Sequence, residues 1–275
     1  MFAKLLKHEW KSVSRLLGIF SLAALGVGVL ATVSLRLILY FGERAVINET
    51  QTLLLVPVFA LLLVFSFLAL IVYLVGTEFF LIYRFYKNKF TDEGYLTFTL
   101  PVSAHKIVLS SWLNMLIWFV ISMAVFCLCI FGILLVGTAQ QGFVNTEMLR
   151  ERDIDFLYAL YKELFGEGYL VISSIASVAG FLASPMIIMG CITLGAVMAK
   201  KHKILMSIAI YYIYSMILGI GTSVISSLMM MGVFRGDMVT SMYISSIGSL
   251  VLVLASAVIG YFLTVHLMQK KLNLP

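Results

Sequence analysis

The chain has 275 residues, 62% of them hydrophobic and 12% charged, with a formal net charge of +6 and a mean hydropathy of +1.07. An ordinary soluble domain carries about a quarter charged residues, and a water-soluble fold of this length could not hide so much apolar surface. The positive charge sits in short segments between apolar runs, so it reads as membrane topology and anionic-lipid contact rather than as a nucleic-acid interface.

Residues 1–15 come first. Phe2, Leu5, Leu6, Trp10 and Val13 share one helical face, while Lys4, Lys7, His8, Lys11 and Arg15 occupy the other, which is the pattern of an amphipathic helix. The segment is expected to lie along the inner leaflet as an interfacial helix, with Trp10 at the boundary, before the chain turns into its first span. An ordinary juxtamembrane anchor is the plainer alternative, and the two are compatible. The apolar run that follows is too long for the core of a signal peptide and is expected to stay attached.

A bilayer-crossing helix needs about 20 mostly apolar residues, because every backbone N–H and C=O must be satisfied inside its own segment. Six stretches qualify, at 16–41, 53–83, 107–137, 169–199, 204–232 and 241–268. The fold class is therefore all-α: a polytopic membrane protein with six transmembrane helices, forming one membrane domain over 1–275. Small residues recur every four positions as Ala24, Gly28 and Thr32 in the first span and as Ser215, Gly219, Ser223 and Ser227 in the fifth. Each ridge lets another helix approach closely, either inside the bundle or from a second copy. Pro57 and Pro185 are expected to kink or start their spans. Arg36 and Glu78 lie toward span ends, where a snorkelling or paired structural ion is the better reading, and no central acid marks an ion-coupled transporter. Cys127, Cys129 and Cys191 fall inside spans, which argues against a disulfide framework.

The cations fix an orientation. Thirteen Lys and Arg fall in the N-terminal segment, the second-to-third connection, the fourth-to-fifth turn and the tail, against five in the opposite connections. Cytoplasmic segments carry the excess of Lys and Arg, so both termini are expected in the cytoplasm.

Two cytoplasmic connections stand out. The stretch from Arg84 to Lys106 is polar at Lys87, Asn88, Lys89, Thr91, Asp92 and Glu93, then amphipathic through Tyr95, Leu96, Phe98 and Leu100 before Pro101. Thr91 or Asp92 can cap a short helix there, and Pro101 with Ser103 can stop it and restart the next. An apolar face with charged rims, offered to the cytosol, points to a partner surface. Lys200, Lys201, His202 and Lys203 form a tight basic turn that can serve as a smaller contact. On the other side, Ile154, Leu157, Leu160, Tyr161 and Leu164 make an apolar stripe within 138–168, expected as a short amphipathic helix or a simple hairpin closure.

The sequence holds no HExxH, no GxSxG, no Cys–His cluster and no GxxxxGK[ST] loop, so no catalytic, metal or cofactor-binding residue is assigned. If the chain moves something actively, the energy is expected to come from outside it.

The run Phe90-Thr91-Asp92-Glu93-Gly94-Tyr95-Leu96-Thr97-Phe98-Thr99-Leu100-Pro101-Val102-Ser103 resembles the second-to-third-span connection of type-2 ABC exporter permeases. Six spans behind an amphipathic N-terminal helix extend the likeness over nearly the whole chain. Within that family it looks most like the membrane subunits of bacterial peptide exporters, among them those of phenol-soluble modulins. The resemblance implies two permease copies in a bacterial cell membrane, paired with two ABC ATPase subunits that hold ATP and Mg, and an amphipathic or hydrophobic peptide as cargo. It makes Thr91, Asp92, Glu93, Gly94, Tyr95 and Leu96 a coupling helix, and Lys200, Lys201 and Lys203 the lesser ATPase contact. Two other classes stay open: an ATP-independent scaffold or immunity protein that sequesters a peptide, and an ion-coupled secondary transporter.

Overall fold

The computed structural model describes residues 2–43, 49–91, 94, 102–139, 162, 168–199, 201–230 and 238–270. Among these residues there are six long α-helices and no strand: α1 (Phe2–Glu43), α2 (Glu49–Phe90), α3 (Ala104–Ala139), α4 (Tyr169–Met198), α5 (Lys203–Met230) and α6 (Met238–Lys270). All six are long and apolar enough to cross a membrane, so the chain is a multi-pass helical membrane protein. The stripe at 154–164 lies outside the described residues, apart from Lys162.

Several helices outrun their apolar cores. The second continues past 83 to Phe90, with Lys87 and Lys89 in its last turn. A hydropathy reading stops where the charges begin, but Lys and Arg are good helix formers, and cations suit the negative end of the helix dipole. The expected turn between the amphipathic segment and the first span is absent. Residues 2–43 form one uninterrupted helix of 42 residues. No proline interrupts the run, Gly18 next to the expected turn is tolerated, and Ser12 bonds back to the Glu9 carbonyl at 2.8 Å within the helix. Trp10 also packs within the protein: its ring stacks on Trp118 of α3 at 4.9 Å and 21°. The two faces of the segment hold as read, with Lys4, Lys7, His8, Lys11 and Arg15 exposed and Val13 buried.

The chain divides into two compact units. One comprises Lys7–Leu81 and Ile117–Ile154. Its core is Ala24 from α1, Leu70 and Tyr73 from α2, and Val125 and Cys129 from α3, with Val27, Leu74 and Phe126 packed against them. The small ridge of α1 is used here for internal packing. A Cβ on Gly28 would fall against the Cys129 side chain, and one on Gly132 would meet Thr32 Cγ2 at 3.3 Å. Cys129 Sγ donates a weak hydrogen bond to the Ala24 carbonyl at 3.7 Å, and the Ser21 and Tyr73 hydroxyls bond at 3.0 Å. The outward faces are apolar: Leu61, Phe65, Leu68 and Val72 of α2 are all exposed. Water would not tolerate such a patch, whereas hydrocarbon matches it. Arg36 and Glu78 are both exposed, in keeping with ions that snorkel from the ends of their spans.

The other unit comprises Met1–Leu6, Ile82–Leu116 and Asp155–Pro275. Here α4 packs on α6 and α5 around Ala183, Ile187 and Cys191, joined by Ile210, Tyr214, Val253 and Ala257. Small residues set the spacing. A Cβ on Gly190 would lie 2.9 Å from Gly260 Cα, and one on Gly260 would lie 3.0 Å from the Met186 carbonyl oxygen, so α4 and α6 cross backbone to backbone. In hydrocarbon the hydrophobic effect does not drive helices together, and such close contact is what associates them. Polar links add to it, with Tyr214 donating to Ser256 Oγ at 2.7 Å and His105 Nδ1 sharing a 2.7 Å hydrogen bond with Tyr261.

Pro185 sits within α4 and leaves the Phe181 carbonyl without its usual N–H donor. Ser184 Oγ donates to that carbonyl at 3.0 Å, and Trp112 Nε1 of α3 donates to the neighbouring Leu182 carbonyl at 3.1 Å. This local repair allows a proline inside a buried helix. The serine ridge of α5 differs from the ridge of α1: Ser215, Gly219, Ser223 and Ser227 are exposed, and nothing lies within 4 Å of a Cβ placed on Gly219.

Two measurements check this packing. Gly190→Ala is expected to lower the detergent-solubilised melting midpoint, with a loss of about 1–3 kcal/mol from overpacking, while Gly219→Ala leaves it unchanged or slightly raised; equal effects contradict the α4/α6 crossing. Ser184→Ala is expected to destabilise by about 1 kcal/mol, and in a Pro185→Ala background, where the N–H returns, that loss should vanish.

Candidate functional site

The connection after α2 begins from an aromatic anchor. Phe85 and Phe90 are both buried and meet edge to face at 6.0 Å, with Tyr86 stacked on Phe90 at 6.1 Å. The i, i+4 and i, i+5 spacings bring these rings onto one side of the last turns. Lys89, between them, is also buried.

The helix then closes on its own terms. Thr91 Oγ1 donates to the Lys87 carbonyl at 2.6 Å, satisfying one of the carbonyls that a helix end leaves unpaired. The hydroxyl therefore finishes α2 by this bond. Gly94, itself helical, donates its N–H to the Thr91 carbonyl at 2.7 Å, a bond that closes the backbone just past α2. It folds Gly94 back on the helix, where it is buried. A Cβ there would lie 2.6 Å from the Lys89 carbonyl oxygen and 2.8 Å from its carbon. Backbone cannot give way as a flexible side chain can, so this contact admits glycine alone. Further on, the Ser103 carbonyl accepts from the N–H of Lys106 at 2.9 Å and of Ile107 at 3.4 Å, which starts α3 where the sequence placed the restart.

Of the residues assigned to ATPase coupling, Thr91, Gly94, Lys201 and Lys203 are described, while Asp92, Glu93, Tyr95, Leu96 and Lys200 lie outside the described residues. The second connection is a short reversal. Ala199 turns extended at φ −102 and ψ 131, with its N–H held by the Gly195 carbonyl, and the His202 carbonyl accepts from Met206 N–H at 3.0 Å. Lys201 and His202 are exposed and Lys203 is half-buried. Close by, a Cβ on Gly195 would strike Ser207, whose hydroxyl bonds the Lys203 carbonyl at 2.9 Å and the Ile192 carbonyl at 3.3 Å. The reversal is thus pinned at its base and presents Lys201 and His202 at its tip.

Sequence reasoning did not foresee two buried polar atoms. Asn114 Oδ1 and Trp118 Nε1, both on α3, have no hydrogen-bond partner among the described residues. Buried polar groups are nearly always bonded, and nothing in the structure explains these two. Asn114 could have been flagged as a lone amide inside an apolar run; Trp118 carries no such signal. Among the described residues no three His, Cys, Asp or Glu side chains converge to hold a metal ion, and the three cysteines are free.

The backbone closure at Gly94 generates a direct test. Gly94→Val is expected to unwind the end of α2 and raise the rate of tryptic cleavage after Lys87 and Lys89 by on the order of tenfold, as a local loss of about 1.4 kcal/mol would give, whereas Val102→Ala leaves the rate unchanged. An unaltered rate in Gly94→Val contradicts the backbone contact.

Comparison with protein families, with curated proteins and with solved structures finds no match to this chain.

Proposed function

We propose that this chain is the permease subunit of an ATP-driven exporter of the type-2 ABC kind, moving amphipathic or hydrophobic peptides. The observation that carries the reading is the backbone closure after α2. A helix of 42 residues is about 63 Å long at about 1.5 Å per residue, twice the hydrocarbon thickness of about 30 Å. Such a helix reaches well beyond the bilayer. Its end is stiffened by Phe85, Phe90, Thr91 and Gly94, so a force applied to the segment after it reaches the span directly. The resemblance of 90–103 to a coupling segment gives that force a source.

In this reading two copies of the chain face one another and each docks one ATPase. Asp92, Glu93, Tyr95 and Leu96 enter a groove on the ATPase, and Lys200, Lys201 and Lys203 make the lesser contact. ATP and Mg are held on the partner, whose closure pushes the connection and shifts the paired bundles between inward-closed and outward-open states. The permease contributes geometry and no bond chemistry. In this reading both termini lie in the cytoplasm of a bacterial cell, an orientation supported by the excess of Lys and Arg on that side.

Co-expression with the ATP-binding cassette protein encoded nearest to it tests the pairing. The tagged chain is expected to retain the ATPase through purification, and Asp92→Lys with Glu93→Lys and Leu96→Asp to lose at least tenfold of it while Gly219→Ala loses none. Full retention by the triple variant overturns the assigned contact. Protection of cells from a peptide without any ATPase favours the sequestering scaffold instead.

A further inference from the structure

The N-terminal part of α1 has one face committed to the protein and one left open. Val13 and Leu17 are buried and Trp10 stacks on Trp118, while Lys7, His8, Lys11 and Arg15 are exposed. Spacings of one, three and four residues keep those four side chains within about 100° of the helix circumference. The result is a row of cations held on a rigid support.

The register of that row against a bilayer follows from charge alone. Arg15 and Arg36 are both exposed, and the stretch 16–35 between them contains no charged residue. At about 1.5 Å per residue it is about 30 Å long, the thickness of the hydrocarbon core. With Arg36 at one boundary, Arg15 stands at the other. Because α1 continues through this point without a turn, the row rises through the headgroup layer instead of lying along it. Lys11 is one turn, about 6 Å, beyond Arg15 and Lys7 about 12 Å beyond. The headgroup layer is about 5–7 Å deep on each side, which takes in Arg15 and Lys11. Lys7 and His8 remain within a Debye length of its surface, about 8 Å at physiological salt.

We propose that Lys7, Lys11 and Arg15 form a binding face for anionic lipid headgroups, selecting phosphatidylglycerol-type over zwitterionic lipid. Charge complementarity identifies the occupant: the row holds three fixed cations and the adjacent layer is where lipid phosphates lie. Glu9 is buried on the opposite side of the same helix, so no acid interrupts the row. The Trp10–Trp118 stack ties the face to α3, which gives the lipid a mechanical route into the packed helices. This inference does not depend on the transport reading, since it concerns the chain alone.

The test uses the full chain in nanodiscs and measures the relative association of spin-labelled phosphatidylglycerol against spin-labelled phosphatidylcholine. Wild type is expected to prefer the anionic lipid, with the preference falling as salt rises from 0.05 to 0.5 M. Each cation near an anionic surface is worth about a fivefold preference, so Lys7→Gln with Lys11→Gln and Arg15→Gln is expected to reduce it on the order of fivefold or more. Lys7→Arg with Lys11→Arg and Arg15→Lys is expected to keep it. Salt-independent association in wild type, or an unchanged preference in the neutralised variant, overturns the proposal.

Discussion

The constraint on which the rest of the structure depends is that backbone hydrogen bonds must close within each segment wherever water is absent. It selects helices, sets their minimum length and makes any exception visible. Pro185 is such an exception: Ser184 donates to the Phe181 carbonyl that the proline leaves open, and Trp112 donates to the neighbouring Leu182 carbonyl. The end of α2 also closes its open groups locally, with the Thr91 hydroxyl donating to the Lys87 carbonyl and the Gly94 N–H to the Thr91 carbonyl. Backbone satisfaction thus links the interior of the bundle to the connection proposed to meet a partner.

Close packing is the second requirement, and glycine meets it. Lipid tails are as apolar as leucine, so burying leucine adds little to helix association and the distance of approach decides. Gly28 against Cys129, Gly190 against Gly260 and Gly195 against Ser207 are contacts that a larger residue would prevent. Gly94 uses the same freedom outside a helix–helix crossing, bringing the chain onto the Lys89 backbone. The exposed surface is by contrast permissive, as the open space around Gly219 illustrates.

The six spans were legible in the sequence because hydropathy over about 20 residues is a direct consequence of bilayer thickness. Their ends were less so. The span at 53–83 ends with its apolar run, while the helix itself continues to Phe90, since Lys87 and Lys89 favour a helix C-terminus. Expecting a turn after Arg15 mistook a change of surface chemistry for a change of backbone direction. At the site, the residue types of the 90–103 run were evident, while the Gly94–Lys89 contact was not, since it depends on how the chain folds back. The Trp10–Trp118 stack was likewise invisible, because a tryptophan beside lysines is read as a membrane-boundary residue until its partner is placed. The small ridges illustrate both outcomes: the ridge of α1 is consumed in packing and that of α5 is exposed, and spacing alone did not separate them.

On the proposed reading the chain is half of a machine, a membrane bundle driven by a partner ATPase. The measurement that tests this most directly is transport of a fluorescent amphipathic peptide into inside-out vesicles holding the chain with its ATPase. The account requires accumulation that starts on addition of ATP and Mg, stops in the Gly94→Val chain, and is absent when either protein is left out. Accumulation by the chain alone, driven by an ion gradient or by binding without ATP, would contradict it.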